Sequence, residues 1–357
     1  MSIALTSEGQ TVRVAIISPS FGGYGGMEAF VLTILSGLPV TARLEVRVFF
    51  KRTKGFVLRP ELAAAIAAIA DRVAIVEAGS VALAKAVAWA DVVHLQNTSP
   101  DVAVLARLCG KPLLLTLHAH RVPGRSWRQR LWDLSLRQAT RRFFVSEFVR
   151  RTWEGEARRA GSEVVFPICE LASGALPPTQ RRGFAFAARW IPNKGIETLI
   201  EAYARAAVDP VAWPLRLIGD GPLRPQVERR LAELGLRGVE LLGFVSQEKK
   251  AEVIRAARWM VVPPQTREDF GLTAIEARHL EVPCIITRDG GVPEAAGAEA
   301  LACEPADVEG LAACLRAAAA MDEREYAARA QRTRATLLPR LAGPSFYADV
   351  YQKINYA

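Results

Sequence analysis

At 357 residues, half of them apolar, the chain is long enough for about two domains with buried cores, and the absence of long polar tracts excludes a disordered protein. No run of about 18 uncharged apolar residues occurs, and residues 1–13 lack the basic-then-apolar order of a signal peptide, so neither a membrane span nor export is expected. The five cysteines (Cys109, Cys169, Cys284, Cys303, Cys314) show no paired spacing, which fits thiols in a reducing cytoplasm, while a formal charge of +9 points to anionic partners.

From the N-terminus, Val12 to Ser18 reads as a buried strand. The glycine loop Phe21-Gly22-Gly23-Tyr24-Gly25-Gly26-Met27-Glu28 follows, then a helix with Phe30, Val31, Ile34 and Leu35 on one face. Strand, glycine loop and helix open a doubly wound nucleotide-binding α/β fold. The spacing is not a full dinucleotide fingerprint, and no acid suited to a ribose closes the next strand, Leu44 to Phe50. Taken alone, the loop serves equally as a tight turn. Further strands are expected over Arg72–Val76, Asp91–Leu95, Pro112–Leu117 and Arg142–Val145. They end in polar residues: His94, Gln96 and Asn97, then His118 and His120, then Ser146. Ligands of open α/β sheets bind beyond the carboxyl ends of strands, so these residues are expected to line one wall of a cleft. Three of the four histidines gather there, but no acid or thiol accompanies them at ligand spacing, and no metal is expected.

Residues 121–159 carry eleven arginines (Arg121, Arg125, Arg128, Arg130, Arg137, Arg141, Arg142, Arg150, Arg151, Arg158, Arg159) against four acids, with Trp127, Trp132 and Trp153 among them. A one-faced patch of this kind suits an anionic membrane surface. A solvated helical face with its tryptophans in the core is the alternative. No helix-turn-helix or RNA-binding signature accompanies the charge, so nucleic acid is not expected.

A Pro- and Gly-bearing stretch, 171–183, reads as a linker, and the pattern then restarts. Strand Phe184–Ala188 leads into Arg189-Trp190-Ile191-Pro192-Asn193-Lys194-Gly195 and a helix from Ile196. Strand Leu215–Ile218 ends in Gly219-Asp220-Gly221-Pro222, and Val239–Leu242 ends in Gly243-Phe244-Val245. The apolar run Trp259–Val262 stops at Pro263-Pro264 and gives way to Arg267-Glu268-Asp269-Phe270-Gly271-Leu272-Thr273-Ala274-Ile275-Glu276-Ala277. A helix starting near Gly271 places Glu268 in the loop before it and Glu276 just over one turn inside. Between them the first helical amides form a ready anion site at the positive end of the helix dipole. Two carboxylates flanking an anion suit a ligand that runs hydroxyls, phosphates, hydroxyls. Strand Pro283–Thr287 then ends in Asp289-Gly290-Gly291-Val292-Pro293-Glu294, Val308–Met321 is a packing helix, and Phe346–Ile354 is a final helix.

The pattern E-x-F-G-x-x-x-x-E-A, followed by P-x-I-x-x-x-x-G-G-x-P-E, resembles the retaining family-4 glycosyltransferases of the GT-B fold. The resemblance covers nearly the whole chain and is strongest from Arg189 to Glu294. It implies two Rossmann-like domains facing across a cleft: an acceptor domain at 1–170, the linker at 171–183, and a nucleotide-sugar domain at 184–340. The last helix, 341–357, crosses back to the N-domain. By the same resemblance Glu276 binds the ribose hydroxyls and Glu268 a sugar hydroxyl, while Arg189, Lys194 and the Gly271–Leu272 amides stabilise the departing diphosphate. His118 matches the histidine that meets the transferred sugar, which completes the catalytic set. Phe270 shares the motif of the two acids, Gly25 and Gly26 match the N-domain glycine loop, and Gly219, Phe244 and Val245 fall at turns near the donor. Glu28, Asn97, His120 and Ser146 are left as acceptor-side candidates.

The implied reaction moves a hexose-type sugar from a UDP- or GDP-sugar to a hydroxyl of a lipid-linked or polysaccharide acceptor, with neither metal nor cofactor. No Asp-x-Asp of the metal-dependent type is present, and no protein nucleophile is assigned. The expected location is cytoplasmic, or peripheral on the inner face of the membrane. Two other readings remain: the same chemistry on a soluble small acceptor, and an inactive nucleotide-sugar-binding scaffold. Pro264, where relatives commonly carry serine, and Arg278-His279, where they carry small apolar residues, put donor selectivity in doubt.

Overall fold

The structure is a computed structural model and describes residues 11–39, 42–67, 69–124, 126–167, 172 and 174–354, with the side chain of Arg128 left out. Arg125, Cys169 and the expected domain junction at 170–171 lie outside the described residues. The chain forms two compact units, Met1–Glu170 with Leu341–Ala357, and Leu171–Arg340.

In the first unit strands and helices alternate: β1 (Val12–Ser20), α1 (Gly26–Gly37), β2 (Leu44–Arg52), α2 (Pro60–Ala67), β3 (Val73–Val76), α3 (Val81–Trp89), β4 (Val92–Gln96), α4 (Pro100–Leu108), β5 (Leu113–Leu117), α5 (Trp127–Gln138), β6 (Arg141–Phe144), α6 (Glu147–Glu154) and β7 (Ser162–Val164). They build a seven-stranded parallel sheet in the order β3-β2-β1-β4-β5-β6-β7. Helices cover both faces of such a sheet, so β4 and β5 at its centre are buried at every residue, β5 nearly all apolar and β4 carrying only His94 and Gln96 as polar exceptions. The strand order reverses between β1 and β4, which marks the switch point where loops part to admit a ligand.

A short strand β8 (Phe166–Pro167) closes this part of the chain. The second unit continues with β9 (Phe184–Ala187), α7 (Ile196–Ala206), β10 (Leu215–Ile218), α8 (Arg224–Glu233), β11 (Val239–Gly243), α9 (Gln247–Ala256), β12 (Trp259–Val262), α10 (Leu272–His279), β13 (Cys284–Thr287), α11 (Val292–Ala296), β14 (Leu301–Cys303), α12 (Val308–Ala320) and α13 (Glu323–Ala335). Its six-stranded parallel sheet runs β11-β10-β9-β12-β13-β14, with the switch point between β9 and β12. Phe184, Phe186, Trp190, Leu199, Trp259 and Tyr326 share its core.

The stretch read as a linker is not free of the second unit. Buried Arg181 donates to the Leu176 carbonyl at 2.9 and 2.6 Å and to the carbonyl of Glu281, which fastens it there. At the other end, β15 (Leu341–Ala342) pairs with β8, and α14 (Pro344–Ile354) packs into the first unit. The Tyr351 hydroxyl and the Thr116 hydroxyl each meet a ring nitrogen of His94 at 2.7 Å, and Tyr347 stacks on the same ring at 5.5 Å. His94 therefore corrects an expectation. It is wholly buried inside β4, not at a ligand-facing strand end, and burial holds its pKa down at about 3.

Candidate functional site

In the first unit the switch-point loops bring together the glycine loop after β1 and Asn97 after β4. Gly25 caps α1 in an extended conformation, and its amide donates to Glu28 at 3.2 Å. The other Glu28 oxygen accepts from the Ser20 hydroxyl at 2.9 Å, so this buried acid is engaged with its own loop. Asn97 adopts a left-handed backbone (φ 53°). Its Oδ1 accepts from the His118 amide at 2.8 Å, and its Nδ2 reaches Met27 Sδ at 3.4 Å. His118 Nε2 lies 2.9 Å from Gln96 Oε1, and Phe30 presents an edge to its ring. Burial lowers the His118 pKa to about 4, so the ring is neutral near pH 7. Gly25, Gly26, Glu28, Asn97 and His118 thus share one end of the sheet. His120 packs against Phe148 (6.0 Å between centroids), and buried Ser146 caps α6 by accepting from the Val149 amide at 3.1 Å.

In the second unit the switch-point loops carry the main cluster. The Lys194 ammonium lies 2.5 Å from Glu268 Oε2, joining the loop after β9 to the loop after β12. Asn193 supports the junction: its side-chain oxygen accepts from the Thr266 amide at 2.9 Å and its carbonyl from the Gln265 amide at 2.9 Å. Glu268 is also fixed from behind, because its amide donates to Asp289 at 2.7 Å and its carbonyl accepts from Gly291 at 2.8 Å. Pro264 ends β12 with its carbonyl held by the Thr287 hydroxyl at 2.6 Å. Gly271 begins α10 at φ 101°, a left-handed conformation that strains any residue with a Cβ. The turn buries Phe270 and leaves the Gly271–Leu272 amides at the helix mouth, where the first turn has no internal acceptors.

Glu276 lies one turn into α10 and is paired with Lys250 of α9 at 2.7 Å. Its other oxygen is buried, with no partner among the described residues. Arg189 is exposed on the loop after β9, five residues before Lys194, and makes no ion pair among the described residues. The Gly219 amide, after β10, donates to the Gly243 carbonyl at 2.7 Å, and Phe244 beyond β11 is 81% exposed, with Val245 partly covered next to it. Among the described residues no three His, Cys, Asp or Glu side chains are grouped to hold a metal.

Three supporting residues were not picked out by sequence: Asn193, Asp289 and Lys250. The first two had a signal, an amide between Pro192 and Lys194 and an acid before a glycine pair. Lys250 had none, being one of two adjacent lysines in a polar helix start. Arg278, a departure from the family pattern, is structural: buried, it donates to Ala295 at 2.8 Å, Thr333 at 3.0 Å and Thr336 at 2.9 Å, tying α10 to α11 and α13. The basic segment is not one uniform exposed face: Arg130, Arg137, Arg151, Arg158 and Arg159 are exposed, but others are not. Arg142 and Arg150 are buried, Arg150 gripping Glu147 at 2.6 Å, while Arg121 pairs with Asp133 and Arg141 with Glu163.

Two doubly wound units, one with acids, cations and a helix mouth gathered at its switch point, make that switch point the candidate site for a phosphate-bearing ligand. The sequence profile of glycosyl transferases group 1 matches residues 172–334, and that of glycosyltransferase family 4 matches 24–165. The chain belongs to the family-4 glycosyltransferases, with the GT-B fold. It is 34% identical over 109 residues to a glycosyltransferase of Methanocaldococcus jannaschii, covering 30% of this chain and 29% of that one. An O-antigen chain mannosyltransferase of Escherichia coli is 32% identical over 125 residues, 34% of this chain and 32% of its own. The chain thus spans about a third of the length of these relatives. In fold it resembles Anabaena HepE, crystallised with UDP, at a TM-score of 0.74 and 17% identity over 96% of this chain and 98% of that one.

Proposed function

We propose that the protein is a retaining glycosyltransferase that moves a hexose-type sugar from a UDP- or GDP-sugar to a hydroxyl of a cell-envelope or lipid-linked glycan. The observation that carries this reading is the pair of acids Glu268 and Glu276, each beside an ammonium and set on either side of the α10 mouth. HepE was crystallised with UDP, and the Escherichia coli relative is named for O-antigen synthesis; both agree with this donor and acceptor class.

Cleaving the anomeric bond leaves negative charge on the diphosphate. Lys194, Arg189 and the Gly271–Leu272 amides would meet it, and donors fixed in advance lower the barrier without reorganising. Three positive sources do the work of a divalent ion, which is why we propose metal-independent transfer. Glu268 accepts from a sugar hydroxyl and Glu276 from the ribose. His118, neutral near pH 7, is proposed from the family resemblance to meet the transferred sugar. Retention follows front-side attack, the acceptor hydroxyl passing its proton to the leaving phosphate, with no covalent enzyme intermediate. For membrane contact the surface that joins exposed arginines to an exposed tryptophan is the outer face of α5, where Trp127 is 68% exposed and Arg130, Leu131 and Arg137 are exposed on the same helix.

The test is a thermal-shift screen against UDP, GDP, ADP and their sugar conjugates without metal, repeated on Glu276→Ala. One diphosphate should stabilise the wild type and not the variant, and its sugar conjugate should be turned over with the anomeric configuration kept. No shift with any nucleotide at millimolar concentration would refute the reading.

A further inference from the structure

We infer that Lys250 is a donor-binding residue, acting with Glu276 as one acid–base pair that reads the vicinal diol of the nucleotide ribose. The inference rests on the donor site proposed above and adds to it a group that the sequence motif does not contain.

Lys250 behaves unlike its neighbour. Lys249 pairs with Glu252 three residues on, with both side chains about half exposed, as surface pairs on helices do. Lys250 instead turns inward and spans 26 positions to meet Glu276 on α10, with side-chain exposures of 19% and 15%. Only one Glu276 oxygen is used. The other is buried and has no donor among the described residues, an arrangement that costs stability unless a ligand completes it. The ammonium carries three N–H donors, of which Glu276 takes one.

The pair therefore offers one vacant acceptor beside vacant donors. An isolated carboxylate with both oxygens open accepts from two hydroxyls. With Oε1 committed to Lys250, the complementary ligand is a pair of adjacent hydroxyls, one donating to Oε2 and the other accepting from Nζ. A ribose 2′,3′-diol has that pattern and spacing. In this arrangement Lys250 both orients Glu276 and touches the ligand itself.

The experiment measures dissociation constants of UDP and GDP, and of their 2′-deoxy and 3′-deoxy forms, for wild type, Lys250→Met, Lys250→Arg and the control Lys249→Met. Wild type should prefer the ribonucleotide over each deoxy form by about 10- to 100-fold, the range for one hydrogen bond from a ligand hydroxyl to a buried charged group. Lys250→Met should weaken the ribonucleotide by about 10-fold and erase discrimination at one hydroxyl while keeping it at the other. Lys250→Arg should restore part of both effects, and Lys249→Met should match wild type. Equal weakening for all forms, or unchanged affinity and discrimination in Lys250→Met, overturns the inference and leaves the donor site standing. Failure of the wild type to bind any of the nucleotides overturns the donor site itself.

Discussion

Gly290 gives the sharpest handle on how the candidate site is held. A Cβ at this position would lie 2.0 Å from the Glu268 carbonyl oxygen and 2.9 Å from both the Glu268 nitrogen and carbonyl carbon. Ordinary contact needs about 3.4 Å, so in Gly290→Ala the Glu268 backbone must retreat by roughly 1.4 Å. Two hydrogen bonds hold that backbone, from the Glu268 amide to Asp289 and from the Gly291 amide to the Glu268 carbonyl. Losing both costs about 2 kcal/mol, and the left-handed φ of 54° adds about 1–2 kcal/mol for any residue with a Cβ. Gly235 is the matched control. It has φ 58° but open space around its would-be Cβ, so Gly235→Ala carries only the conformational cost. Urea unfolding should place Gly290→Ala about 2 kcal/mol below Gly235→Ala. A shift of about 1 Å in a positioning group costs roughly 100-fold in rate, so donor turnover should fall by that order in Gly290→Ala alone. If the two variants unfold and turn over alike, the glycine pair does not position Glu268, and the account of the site's rear wall is wrong.

Acid should destabilise the first unit through its histidines. His94 and His118 have folded pKa values of about 3 and about 4, below the ordinary 6.5, so above that pH neither distinguishes folded from unfolded chain. Below it the unfolded chain takes up protons that the folded chain refuses, and stability falls by about 2 kcal/mol per histidine between pH 8 and pH 5. Urea midpoints at those two pH values should show it, with His94→Gln flattening the dependence; no loss in the wild type contradicts the buried neutral rings. Vesicle sedimentation tests the α5 face. Binding to anionic vesicles at low salt should be lost at high salt and weakened in Trp127→Ala. Equal pelleting with neutral vesicles, or none at low salt, removes membrane contact and leaves the donor chemistry untouched.

The sequence was most legible where one physical requirement dictated both residue and position. Strands buried on two faces are mostly apolar, so β1, β4, β5, β12 and β13 could be read nearly to the residue. Glu268 and Glu276 were readable because a glycine between them marks a helix mouth. Gly290 and Gly291 could be placed in a turn, but not against the Glu268 backbone, since close approach depends on a chain some twenty residues away. Histidines misled for a related reason. His94 looks like a polar strand end in one dimension, yet α14, more than 250 positions later, supplies Tyr351 and Tyr347 to bury it. The arginines of 121–159 likewise read as one patch until Arg142 and Arg150 prove to be internal. Local pattern reveals charge and periodicity; which face a long side chain takes is decided by partners that pattern does not contain.

The two ion pairs of the second unit bear on how a donor would be accepted. Before any ligand arrives, Lys194 and Lys250 hold Glu268 and Glu276, so both acids keep their geometry at no further entropic cost when a sugar nucleotide binds. The pairs are not equivalent in the proposed reaction. Lys250 lies by the ribose, where no charge changes during transfer, and its hold on Glu276 can stay constant. Lys194, paired with Glu268, is the cation proposed to meet the diphosphate as it gains charge, so its attraction would shift toward the phosphate as the anomeric bond breaks. That shift frees a Glu268 oxygen to take a stronger hydrogen bond from the sugar hydroxyl at the moment positive charge builds on the ring. One lysine would then link leaving-group stabilisation to the grip on the sugar, a gain made only in the transition state, where it raises turnover and not merely affinity.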